Sequence, residues 1–192
     1  MHTAYAFQWV KILDSKAFHP TKEVSSISAG HMSGRGFSTD GPYASAFDFT
    51  LGKANKGWYW DFSLMGGFGV QPSPKLTLGV VAGLRGSGIT QGELATAWGV
   101  PVEVHATYAV APRLSVLGYV RPIWHFGETP RVDDATIGSF ADEFELGANV
   151  AWAQVTKPGV SKFGLLAGVV YHELRDTAYV GIRVGAGYAN RP

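Results

Sequence analysis

The chain has 192 residues, with 25 glycines, six tryptophans, eight tyrosines and eleven phenylalanines, no cysteine and 16% charged residues. That length sustains one domain with a sizeable core, and the apolar share excludes a disordered chain. A net charge of +1 without a basic stripe excludes nucleic acid as a partner, and the lack of cysteine excludes disulfides, thiolate metal sites and cysteine nucleophiles.

No apolar run reaches the roughly eighteen residues of a membrane-spanning helix. The start, Met1-His2-Thr3-Ala4-Tyr5, lacks the basic and apolar regions of a signal peptide, so an exported form is expected to be a mature chain with an added Met. Residues 1–42 are set apart as an N-terminal segment with two readings. Residues 4–13 form either a strand, with Tyr5, Phe7, Trp9 and Leu13 on one face, or an amphipathic helix in the membrane interface, with Tyr5, Trp9, Ile12 and Leu13 together. Residues 21–33 read as a weak strand. A hairpin is favoured over an unpaired apolar segment, and it raises an eight-stranded fold to ten strands.

From Tyr43 onward the pattern has period two. Segments fall at about 43–52, 57–70, 75–85, 98–110, 113–126, 143–155, 161–173 and 177–189. In the fourth, Trp98, Val100, Val102, Val104, Ala106, Tyr108 and Val110 oppose Gly99, Pro101, Glu103, His105, Thr107 and Ala109. In the sixth, Phe144, Leu146, Ala148, Val150 and Trp152 oppose Glu143, Glu145, Gly147, Asn149, Ala151 and Ala153. These runs of Val, Phe, Tyr and Trp predict an all-β, antiparallel up-and-down fold over 43–190. The second face carries glycine, alanine and isolated charges rather than the lysine and glutamate of a soluble surface. Apolar outward and small or polar inward is the arrangement of a transmembrane barrel, whose closure pairs every backbone group.

The connections fit. Gln71-Pro72-Ser73-Pro74, Ala111-Pro112 and Thr156-Lys157-Pro158-Gly159 are tight turns, and the longer connections at 86–97 and 127–142 alternate with them. Residues 53–56 and Arg175-Asp176 are short where long loops are expected. Aromatics gather at the segment ends. Trp58, Trp60, Trp98, Trp124, Phe126, Phe144, Tyr171 and Tyr179 would lie at the outer rim, and Tyr43, Phe68, Tyr108, Trp152 and Tyr188 at the inner rim.

The run Gly99-Val100-Pro101-Val102-Glu103-Val104-His105-Ala106-Thr107-Tyr108, a tight turn, then Leu114-Ser115-Val116-Leu117-Gly118-Tyr119-Val120, resembles small bacterial outer-membrane barrels of the OmpA/OmpX/OmpW class. Arg183-Val184-Gly185-Ala186-Gly187-Tyr188 resembles their C-terminal assembly signal. The sequence departs from it at Asn190, where a final aromatic is usual, and the tail Asn190-Arg191-Pro192 is compatible with a further domain. The resemblance implies a Gram-negative outer-membrane location. It also implies the lipid bilayer, lipopolysaccharide and the outer-membrane assembly machinery as partners, with a monomer or weak oligomer.

Inward-facing ionisable residues near mid-barrel are Asp48, Asp61, Glu103, His105, Arg121 and Arg183. Buried charges need partners, so these are expected to form a lumen network, either a structural plug or a polar pathway for a small solute. Arg85, Glu93, Glu128, Arg131, Asp133, Asp134, Asp142 and Glu143 are assigned to or near outer loops. His31 and Ser33 would share a strand face, the weak candidate pair for an outer-membrane lipid A deacylase-like enzyme, which carries a His-any-Ser pair. Asp40 is the only nearby acid and its spacing does not match that family; near the C-terminus, Tyr171-His172-Glu173-Leu174 offers no serine. Only His105 and His125 stand at plausible ligand spacing, without a third ligand, so no metal and no cofactor is expected. The favoured role is non-enzymatic: structural, surface-interacting or solute-passing. The alternatives are the lipid-modifying enzyme and a soluble lipocalin-like ligand-binding barrel, which would need its apolar face inward.

Overall fold

The computed structural model describes residues 2–15, 26–38, 41–54, 58–89, 97–126, 141–153, 162–174 and 177–189. All are strand or connection; no helix occurs among them. The ten strands are β1 (His2–Ser15), β2 (Ser26–Phe37), β3 (Tyr43–Ala54), β4 (Trp58–Ser73), β5 (Leu76–Ile89), β6 (Ala97–Ala111), β7 (Leu114–His125), β8 (Glu143–Ala153), β9 (Lys162–Leu174) and β10 (Thr177–Ala189). Each pairs antiparallel with its sequence neighbours, and β1 pairs with β10 to close the barrel. The first segment is therefore a strand, not an interfacial helix, and it pairs with β2 from His2↔Arg35 to Lys11↔Ser26.

Period-two alternation fixes which face each residue takes, because successive side chains leave a strand on opposite sides. In β6 Glu103, His105 and Thr107 are buried while Val104 and Tyr108 are exposed. Outside, the wall is a continuous apolar band: Leu64 is 64% exposed, Phe68 70% and Val184 59%. Two aromatic belts bound it. Trp58, Trp98, Trp124 and Phe126 are exposed at the end carrying the longer connections, and Tyr43, Phe68, Tyr108 and Trp152 at the end carrying the tight turns. The turn end includes Pro74-Lys75 and Pro112-Arg113. Near the first of these the ladder shifts register between Val70 and Ser73, where Pro72 has no N–H to donate.

Several expectations fall outside the described residues: Asp40, Glu93, Glu128, Arg131, Asp133, Asp134, the turn at 156–159, the tail at 190–192, and the side chains of β1, Tyr179 and Tyr188.

Candidate functional site

Charged side chains crowd the middle of the lumen and its half nearer the longer connections. The strand register brings them into line. Arg121 pairs across strands with Glu145, and Glu145 with His172; the register joining Val104 to Val120 sets Glu103 beside Arg121. Opposite charges thus alternate around one wall, a favourable cross-strand arrangement.

The mid-lumen layer centres on two acids and two arginines. Arg121 Nε donates to Glu103 Oε2 at 2.9 Å, and its Nη2 donates to the same oxygen at 2.5 Å and to Asp48 Oδ2. Arg35 Nη2 donates to Asp48 Oδ2 at 3.0 Å and Glu103 Oε2 at 2.8 Å; its Nη1 donates to the carbonyls of Gly34 and Phe47, both at 3.1 Å. Arg35 Nε adds an ion pair with Glu103 Oε1 at 2.6 Å. The guanidinium fork makes such sharing possible, since five donors in one plane can serve two carboxylates at once. Ser63 Oγ donates to Asp48 Oδ2 at 3.4 Å, and His105 Nδ1 lies 2.8 Å from Glu103 Oε1. The edge-on ring of Phe37 covers His105, with centroids 5.2 Å apart.

Tyr119 organises the neighbouring side. Arg35 and Arg121 each lie 5.1 Å from its ring centroid and Arg183 5.9 Å, within cation–π range. Its hydroxyl accepts from Arg183 Nη1 at 2.7 Å and donates to Glu145 Oε1. Glu145 also faces Arg183 Nη2 at 3.4 Å and Arg121 Nη1 at 3.7 Å. The ring needs Gly147 beside it, for a Cβ there would overlap the Tyr119 ring.

A second cluster lies toward the longer connections. Arg85 donates to Asp61 through Nε at 2.9 Å and through Nη2, and its Nη1 pairs with Glu143. His125 Nε2 stands 2.8 Å from Glu143 Oε2, and His172 Nε2 contacts the other oxygen. The Tyr59 hydroxyl donates to Asp61 at 3.1 Å. Together the two clusters take a side chain from every strand from β2 to β10.

Of the residues singled out in the sequence, Asp48, Glu103, His105, Arg121 and Arg183 lie in the mid-lumen layer, while Asp61 belongs to the second cluster. Arg85 and Glu143, assigned to or near the loops, are 2% exposed inside the barrel. Asp142 stays at the rim, accepting from the His125 N–H at 2.7 Å. His31 is buried and turns to the Thr50 hydroxyl at 2.9 Å and to Asp48 at 3.6 Å, while Ser33 lines a cavity on the turn side. Sequence reasoning missed Arg35, Tyr119 and Glu145 as members of the network. The alternation of β8 already put Glu145 on the inner face; Arg35 lies beyond the predicted end of its strand.

No protein-family model matches this chain, and no curated protein matches it. Among solved structures it is similar to one described as a KdgM porin, with 7% identity, a TM-score of 0.45, and coverage of 97% of this chain and 98% of that one.

Proposed function

We propose that the chain is a Gram-negative outer-membrane barrel, a monomer or weak oligomer, that passes a small solute through a lumen closed at rest by its charge network. One observation carries the reading. The barrel is inverted relative to a water-soluble one, with Leu64, Phe68 and Val184 on the outside and Arg121, Glu103 and Asp48 within. A soluble lipocalin-like barrel needs the reverse distribution. A lipid-modifying enzyme needs His31 to activate Ser33, whereas His31 Nδ1 engages Thr50. Bilayer, lipopolysaccharide and the assembly machinery remain the partners this reading implies.

The passage part rests on how the network is made. Each central acid is held by two arginines, so an arginine can exchange carboxylate partners without stranding a charge, which is what a narrow polar pathway requires in order to open. The test is reconstitution. Detergent-folded protein should migrate differently on SDS gels when boiled and unboiled. Vesicles carrying Arg121→Ala should leak small solutes faster than vesicles carrying the parent chain. If both folded proteins leave the vesicles as tight as lipid alone, the passage reading fails; a soluble monomer in plain buffer removes the membrane reading as well.

A further inference from the structure

The cluster nearer the long connections is unevenly built. Arg85 of β5 is tied to the adjacent strand β4, where Asp61 accepts from its Nε at 2.9 Å and from its Nη2. Its Nη1 reaches across to Glu143 of β8. That contact is an ion pair without hydrogen-bond geometry, for the buried Nη1 has no hydrogen-bond partner among the described residues. Charge alone holds it.

Glu143 is also served from its own side of the lumen. His125 Nε2 of β7 stands 2.8 Å from Oε2, and His172 Nε2 of β9 contacts Oε1, the oxygen that Arg85 faces. A neutral imidazole that donates through Nε2 keeps its lone pair on Nδ1. Nδ1 of His125 is buried with no hydrogen-bond partner among the described residues, so no donor locks that ring in its neutral form. His125 ends β7 and Glu143 begins β8, which puts the group at the mouth of the lumen.

Histidine is the side chain whose charge changes between about pH 5 and 8. Of the other groups facing these three, Tyr59 and Asp61 lie on β4, Arg121 on β7 and Glu145 on β8. On β10, Arg183 meets Glu145, and Tyr179 stands opposite His172 in the register; Asp142 holds the His125 N–H at the rim. The inward positions of β6 here, Ala97, Gly99 and Pro101, carry no charge. Carboxyl, phenol and guanidinium groups ordinarily titrate outside that window, so the two histidines are the groups that respond in it.

A proton on either ring neutralises Glu143 from its own side and sets a second cation before the Arg85 guanidinium. Arg85 can then withdraw, because Asp61 still holds two of its nitrogens. We propose that the Arg85–Glu143 pair is a latch across the outer half of the lumen, released in mild acid when His125 and His172 take up protons. The inference rests on the passage reading and deepens it by naming a condition that opens the outer half.

The test uses the absence of cysteine from the chain. Ser63 is 0% exposed and pairs with Arg85 in the register, so Ser63→Cys places a thiol at the level of the latch. The full chain, folded in detergent, is labelled with dithiodipyridine, which attacks thiols in acid as well as at neutral pH. Each rate is divided by that of Ser73→Cys at the turn end under the same conditions. The ratio should rise about tenfold or more from about pH 7.5 to about pH 5.5, since each linked proton shifts an equilibrium by up to tenfold per pH unit. With His125→Gln and His172→Gln together it should stay low at both values, and with Glu143→Gln it should be high at both. The heat-dependent gel shift establishes that each protein is folded. Should the histidine pair not fold, His125→Gln alone should at least halve the rise. A flat ratio in the folded parent overturns the latch, as does a full rise without the histidines or slow neutral labelling in Glu143→Gln. If the ratio responds as expected while Arg121→Ala vesicles stay tight at both pH values, the latch stands and passage falls. Leaking vesicles with a flat ratio give the reverse.

Discussion

The two charge clusters of the lumen solve the same problem differently. In the mid-lumen layer, Asp48 and Glu103 are each held by both Arg35 and Arg121, and a third arginine, Arg183, stands over the same tyrosine ring. In the cluster nearer the long connections, one arginine, Arg85, serves both Asp61 and Glu143, and His125 and His172 complete the second acid. The first arrangement consists of permanent cations that reach across the lumen; Arg121 and Asp48 lie 73 residues apart in sequence. The second reaches from β5 to β8 through Arg85 alone and otherwise joins neighbouring strands, β7 to β8 and β8 to β9, through single histidines. Redundant arginines span the mid-lumen, whereas one arginine flanked by histidines spans the lumen nearer its rim.

Substitutions can break or sharpen that contrast. The largest effect is expected from Arg121→Ala, which strands portions of Asp48, Glu103 and Glu145 together. Removing one partner of a buried ion pair costs about 3–5 kcal/mol, read as a lower urea midpoint in lipid vesicles. An unchanged midpoint would mean that Arg35 and Arg183 alone satisfy the layer. Arg85→Ala should cost less, about 2–3 kcal/mol, because His125, His172 and Tyr59 stay on the orphaned acids. A loss equal to that of Arg121→Ala would erase the distinction between the clusters. The smallest effect is expected from His125→Ala, about 1 kcal/mol in the same urea titration, since Glu143 keeps Arg85 and His172. If that loss exceeded the loss from Arg85→Ala, histidine rather than arginine would organise the rim.

Much of the barrel is legible in the sequence because alternation is a local property. The strands predicted from 43 onward sit within a few residues of those observed, and the inward faces of β6 and β8 follow from parity alone. Errors gather where parity loses its reference. β5 was expected to stop at Arg85 but continues to Ile89, so that a residue assigned to or near a loop lies deep in the interior. Arg35 lies in the Gly- and Ser-rich β2, whose apolar period is faint, and the expected strand ended two positions before it. Tyr119 was overlooked because aromatics in such a barrel are expected in the belts, whereas this one stacks under guanidinium groups. Which acid meets which arginine is set by the stagger between strands, and that is a property of the closed ring rather than of any segment. The same holds for the cavity beside Ser33, whose lining among the described residues comes from β2, β6, β7, β8 and β9.

The seam between β1 and β10, running from His2↔Ala189 to Ser15↔Thr177, joins the two extremes of the sequence. Every other pairing joins sequence neighbours and can form as soon as its hairpin exists. This one must wait until the whole chain is in place, and the entropy of closing so large a loop grows with the logarithm of its length. High contact order slows folding, so the last contact made should also be the slowest. Until it forms, the curved sheet carries two raw edges whose unpaired N–H and C=O groups invite pairing with another chain. An outside agent that holds those edges apart from other chains until they meet would therefore act chiefly on the rate and fidelity of assembly, and leave the stability of the finished ring unchanged.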